Sequence, residues 1–176
     1  MKKITQNYLK EIVSYNPETG IFIWIDRGLS HFKSLSSYRS WITRFLGKQA
    51  GSVSNNGYVV INTNGKLYTC HRLAWLYVHG TMPYLEVDHI DGDRSNNKIA
   101  NLRLANRSEN NQNKRSALSN NKLGVLGVSL CKSTSKYRAT IVINKKQKTI
   151  GRFNTKEEAH EAYLIAKREI HPRNTI

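Results

Sequence analysis

Asp88, His89 and Asn110 are the residues whose types and spacing could do chemistry together. Asp88 offers the hard carboxylate oxygen that Mg²⁺ prefers, and Asn110 can add an amide oxygen. That would leave most of an octahedral shell for water and a substrate phosphate. His89 carries the side chain whose free pKa lies nearest working pH, so it can take a proton from water. An ion on a phosphate with a base beside it suffices for phosphodiester hydrolysis.

The elements that must position these groups lie between Glu86 and Asn113, EVDHIDGDRSNNKIANLRLANRSENNQN. An apolar run closes on Asp88 and His89, and the polar loop IDGDRSNN follows. Leu102 and Leu104 then resume the alternation of a strand. Asn106 and Glu109 have the spacing of a capping box, which opens a helix. The reading is strand, loop, strand, helix, with Asn110 in the first helical turn. Neighbours on a regular strand point to opposite faces. The strand is therefore expected to twist or end at Asp88-His89, and the Asp91-Gly92-Asp93 loop supplies the place.

This stretch resembles the HNH endonuclease motif, the ββα-metal fold, in its phage and intron-encoded homing branch. The matching residues are Asp88-His89, Asn101-Leu102-Arg103 and Asn110. The resemblance implies that His89 is the general base, that Asp88 and Asn110 hold the metal, and that Asn101 fixes the loop through hydrogen bonds to its backbone. The last position is His in many relatives and Asn here, which fits the homing branch. Asn111 and Asn113 stand close enough in sequence to compete for that last place.

The chain carries 28 Lys and Arg against 12 Asp and Glu, a net charge of +16. Residues 1–60 carry +5, residues 61–118 carry +3 and residues 119–176 carry +8. A basic body around an acidic spot suits a polyanionic substrate. Cys70 and Cys131 are far apart and lack CxxC spacing, which argues for a reducing compartment and against structural zinc. No apolar run is long enough to span a membrane, and MKKITQNYLKEI lacks the apolar core of a signal peptide. A cytoplasmic protein is expected.

Upstream of the motif, the spacing predicts a short helix over 4–14, a turn at Asn16-Pro17-Glu18-Thr19-Gly20 and a strand over 21–25. Residues 28–40 read as a Ser-rich loop with Arg39, Arg44 and Lys48 nearby, and Trp41, Ile42, Phe45 and Leu46 as a helical turn after it. Asn64-Gly65 predicts a tight hairpin between 58–62 and 66–70. A helix then starts at His71 and ends near Gly80, a suitable C-terminal cap. This HRLAW segment also recurs in the phage relatives, so the resemblance marks His71 and Arg72, with Arg103, as expected DNA contacts.

Residues 111–122 are Asn-rich and basic, the best boundary in the chain. Beyond them come strands from Gly127, over 137–143 and over 148–153, with 144–147 as the turn. Thr155 and Glu158 form a second capping box before a helix with Ala159, Ala162, Tyr163, Ala166 and Ile170 on one face. The segment resembles the APETALA/ethylene-response-factor DNA-binding domain at Gly127-Val128, Lys136 to Ala139, Ile150 to Phe153 and Thr155 to Tyr163. That family reads the major groove with its sheet, which makes Lys132, Lys136, Arg138, Lys146, Lys148 and Arg152 the contact candidates. Ser129 and Cys131 stand where arginines would be expected.

The expected fold is α+β: a ββα-metal HNH core preceded by a β-hairpin and helix region, plus a small C-terminal three-stranded antiparallel sheet packed on one helix. The division is 1–56 as an N-terminal part of the nuclease domain, 57–118 as the HNH core, 119–125 as linker and 126–176 as the DNA-binding domain. The expected protein is a monomeric, phage- or mobile-element-encoded endonuclease acting on double-stranded DNA. Its ion is Mg²⁺, or Mn²⁺ in its place. One active site would nick one strand per encounter. The alternative is a noncatalytic DNA-binding regulator with a degenerate HNH module; intact Asp88, His89 and Asn110 argue against it.

Overall fold

The computed structural model describes residues 4–114, 117, 121–171 and 174. The centre of the basic connection expected at 111–122 falls on residues 115, 116 and 118–120, which lie outside them. The chain forms two compact units, one within residues 1–104 and one within residues 105–176.

In the first unit, Thr5 caps α1 (Gln6–Ile12) by accepting from the Tyr8 amide. The helix expected to reach residue 14 stops at Ile12, because Val13 is already extended and paired with Trp24. β1 (Val13–Asn16) and β2 (Ile21–Trp24) form an antiparallel hairpin. Its Asn16-to-Gly20 turn is held by the Asn16 side chain, which accepts from the amides of Glu18 and Thr19. Tyr15 and Phe22 are cross-strand partners with ring centroids 4.6 Å apart.

The segment read as a Ser-rich loop instead contains α2 (Leu35–Phe45). Ser34 and Ser37 form a reciprocal cap there, so serine starts the helix rather than breaking it. Trp41 and Phe45 of α2 pack edge-on to Trp24, and the Arg27 guanidinium lies 4.5 Å from both the Phe32 and Trp41 rings.

β3 (Ser52–Val53), β4 (Val59–Thr63) and β5 (Lys66–Thr69) form an antiparallel sheet, with the Asn64-Gly65 turn between the last two. Both turn residues have positive φ, 51° and 71°, as a primed turn requires. α3 (Cys70–His79) follows directly and ends at Gly80 in the left-handed conformation. Leu73, Ala74 and Leu76 of α3 join Leu9, Ile12, Phe22 and Ile61 in the core, together with Val87 and Leu102 of β6 (Glu86–His89) and β7 (Leu102–Ala105). β6 and β7 pair with each other.

The second unit begins near α4 (Arg107–Gln112), which is capped at both ends of the Asn106/Glu109 box. It continues with β8 (Val128–Cys131), β9 (Lys136–Ile143) and β10 (Lys146–Phe153), ordered β10-β9-β8, and with α5 (Lys156–Ile170). The β9–β10 turn is only Asn144-Lys145, both at positive φ, so β10 starts two residues earlier than expected. Val128, Ala139 and Ile141 of the sheet meet Ala159 and Tyr163 of α5 in a core of their own. Gly127 lets Tyr163 lie there: a Cβ at this position would stand 2.1 Å from its ring, at a φ of +74°. Lys167 of α5 is buried and donates to the Lys114 carbonyl, which ties down the segment after α4.

Candidate active site

β6 ends at His89, and this strand end places two polar side chains in the interior. Asp88 and His89 are only 7% and 4% exposed. Burying a carboxylate is costly unless it is paired. The partner comes from the neighbouring strand: Arg103 of β7 donates from Nε and Nη2 to Asp88 Oδ2 at 3.0 and 2.9 Å.

The His89 ring sits among different groups. Its Nε2 lies 3.3 Å from Asn97 Oδ1, and its ring meets His71 edge-on at 4.9 Å and Tyr58 at 6.1 Å between centroids. Burial lowers the His89 pKa from its ordinary value, opposed by the Asn97 bond and the carboxylates of Asp91, Asp88 and Asp93. The imidazole is therefore neutral at working pH, the state a base needs.

Asn101 closes the loop between the strands. Its side-chain oxygen accepts from the Asp91 amide at 3.1 Å, and its Nδ2 donates to Asp91 Oδ1 and to the Asn96 carbonyl, both at 2.9 Å. Asp91 in turn accepts from the Asp93 amide and from Asn96 Nδ2. The loop is thus a network of local side-chain bonds rather than an open acidic surface.

The structure turns the three basic side chains expected at DNA in this region inward. His71 is 7% exposed, and burial, followed by His89 and Arg72, lowers its pKa to about 3, so it brings no charge to a phosphate. Arg72 donates to the carbonyls of Pro83 and Leu85 and so braces the chain entering β6. Arg103 is engaged with Asp88. Asn110 lies on α4, in the second unit, whereas Asp88, His89 and Asn101 belong to the first. Among the described residues, no three His, Cys, Asp or Glu side chains cluster as a metal site. No described helix is long and apolar enough to cross a membrane.

The register of the C-terminal sheet sorts its basic residues. Arg138 is opposite both Ser129 and Arg152, and Lys136 is opposite Cys131. These share the face turned away from Ala139 and Ile141, and hence from α5. Lys146 and Lys148 are opposite Ile143 and Ile141, on the helix-side face. A register shift between Thr149 and Gly151 separates them from Arg152. Lys132 follows β8 in the β8–β9 turn.

Sequence reasoning missed Asn97 and Tyr15. Asn97 is 3% exposed, and its carbonyl accepts from the Tyr15 hydroxyl at 2.7 Å. Nothing in the Asn96-Asn97 pair marks one as buried, and the Tyr15 contact spans most of the first unit.

A buried, ion-paired carboxylate and a buried imidazole thus share one strand end, beside a loop that Asn101 closes. Residues 68–112 match the HNH endonuclease family model. The chain is 31% identical over 150 residues to the uncharacterized HNH endonuclease L560 of Acanthamoeba polyphaga mimivirus, covering 85% of this chain and 75% of that protein. It is 36% identical over 78 residues to protein 3.8 of Escherichia phage T7, covering 44% of this chain and 64% of that one. A solved structure of DNA binding and cleavage by the HNH homing endonuclease I-HmuI is similar at a TM-score of 0.41 and 19% identity, over 90% of this chain and 80% of that one. The chain belongs to the HNH endonuclease family. It is accordingly an enzyme, a DNA endonuclease that hydrolyses phosphodiester bonds.

Proposed function

We propose that this endonuclease is metal-dependent, nicks one DNA strand per encounter, and is directed to its sites by the C-terminal sheet. The observation that carries the reading is the pair at the end of β6: a buried carboxylate ion-paired with Arg103 beside an imidazole whose pKa burial lowers. His89 takes a proton from water as the water oxygen attacks phosphorus. The bond from phosphorus to the 3′ oxygen breaks and that oxygen takes a proton from solvent water, leaving a 3′-hydroxyl and a 5′-phosphate. The resemblance implies Asp88 and Asn110 as the residues that would hold the ion; hard oxygens of this kind suit Mg²⁺ or Mn²⁺ and not a four-coordinate zinc. When bound, a divalent ion supplies positive charge to the phosphate and the leaving oxygen. Asn101 keeps the loop closed, and Arg103 holds Asp88 in place.

The C-terminal unit offers Lys136, Arg138 and Arg152 on one open sheet face, with Lys132 at its edge. This arrangement, with the ERF-like sequence pattern, supports major-groove reading by β-structure. The region of residues 57–118 would cut, residues 126–176 would position, and the intervening segment would connect them. The viral origin of the relatives supports action inside an infected cell; a double-stranded DNA substrate and a monomeric state belong to the same proposal.

The test is supercoiled plasmid incubated with the protein in Mg²⁺, in Mn²⁺ and in EDTA. Nicked circles should accumulate before linear DNA in either metal and not form in EDTA. Cutting in EDTA at the same rate would remove the metal from the account, and linear DNA without a nicked precursor would remove the single-strand mode.

A further inference from the structure

We propose that Asn97 is a positioning residue that fixes the neutral His89 ring in the tautomer with its proton on Nε2. The consequence for catalysis rests on the reading of His89 as general base; the tautomer assignment itself does not.

The orientation of the Asn97 amide is settled by its other bond. Its Nδ2 donates to the Ser95 carbonyl at 3.0 Å. That end of the amide must be nitrogen, because a carbonyl oxygen can only accept. The end facing His89 is therefore Oδ1, 3.3 Å from Nε2. An amide oxygen also only accepts, so Nε2 must donate. A neutral imidazole has one donor and one acceptor nitrogen. With the proton on Nε2, the basic lone pair is on Nδ1.

Asn97 is itself held from behind by the β1–β2 hairpin. Tyr15 Oη donates to the Asn97 carbonyl at 2.7 Å. The Ile99 amide donates to the Pro17 carbonyl at 3.1 Å. Gly20, at a φ of +74°, abuts the Asn97–Lys98 peptide so closely that a Cβ would stand 2.4 Å from the Lys98 nitrogen and 2.5 Å from the Asn97 carbonyl carbon. The amide therefore sits on a braced backbone, and the His71 and Tyr58 rings pack against the imidazole it addresses. Packing and the Asn97 oxygen together hold the ring with Nε2 as donor, in the way partners behind functional histidines commonly orient them.

The experiment is long-range ¹H–¹⁵N correlation on the full chain with ¹⁵N-labelled histidine, without metal, at a pH where the ring is neutral. The His89 signals are assigned by their loss in His89→Gln. In the wild type, Nε2 should show the shift of a protonated nitrogen and Nδ1 that of an unprotonated one. In Asn97→Ala, the two nitrogens should move toward averaged shifts, and the maximal plasmid-nicking rate should fall about 10- to 100-fold with KM little changed. A wild-type His89 protonated on Nδ1 overturns the proposal even if Asn97→Ala fails to fold, and so does an unaltered pattern in a folded Asn97→Ala. If the tautomer is as stated but His89→Ala nicks as fast as wild type, the general-base reading fails and the assignment stands.

Discussion

Tyr15 donates its hydroxyl to the main-chain oxygen of Asn97 at 2.7 Å, a buried bond between residues 82 positions apart. It ties the N-terminal hairpin to the residue whose side chain faces His89. Tyr15→Phe leaves that carbonyl without its donor in a dry site, which costs about 1–3 kcal/mol. Urea unfolding should show the loss, and nicking should slow although Tyr15 is not placed at the substrate. An unchanged midpoint and an unchanged rate would detach the hairpin from the site.

Gly20 tests the same brace by shape. Gly20→Ala adds a Cβ against the backbone of Asn97 and Lys98 at a left-handed φ. The destabilisation should exceed the roughly 1 kcal/mol expected of a left-handed residue alone. A melting temperature equal to wild type would mean the contact relaxes freely.

Arg103 neutralises a buried carboxylate. Arg103→Ala should destabilise the fold by about 3 kcal/mol. Added Mg²⁺ should then raise the melting temperature of the variant more than that of wild type, since a bound cation can replace the lost charge. Equal Mg²⁺ shifts would argue that Asp88 is not a ligand.

His71 predicts acid sensitivity. Burial lowers its pKa to about 3. Between its ordinary value and that one, the unfolded chain binds a proton that the folded chain refuses. Its contribution is fully present above about pH 6.5 and is lost on acidification, at up to about 1.4 kcal/mol per pH unit. The lowered pKa of His89 acts in the same direction. Urea unfolding of wild type and His71→Gln across this range should show a flatter profile in the variant. Parallel profiles would contradict the assignment.

The sheet register separates the C-terminal lysines and arginines into two groups. Arg138→Ala or Arg152→Ala should each weaken DNA binding and reduce the salt slope by about one. Lys148→Ala should do less, because Lys148 lies in the Ile141 row. A larger effect from Lys148 would put DNA on the other face.

Much of this was legible because it is local. The Asp88-His89 strand end, the Asn64-Gly65 turn and the Asn106/Glu109 cap are each written in a few adjacent residues. Of α2 only the turn around Trp41 and Phe45 was legible; its first half was not, because its serines have poor helix propensity and its support comes from Trp24 and Arg27 in tertiary contact. Simple alternation puts Lys146, Lys148 and Arg152 on one face; the shift after Thr149 reverses it, and Gly151 within the strand is its local mark. The Asp88–Arg103 pair follows only once β6 and β7 are known to be neighbours. Asn97 becomes visible only when the distant hairpin is folded against it.

The most direct measurement is the single-turnover nicking rate of supercoiled plasmid by His89→Ala in Mg²⁺, alongside gel-shift binding of the same DNA. The proton acceptor proposed here predicts a rate lower by about 10²–10⁴-fold with binding intact. A variant that nicks at the wild-type rate would show that the imidazole at the end of β6 takes no proton from the attacking water.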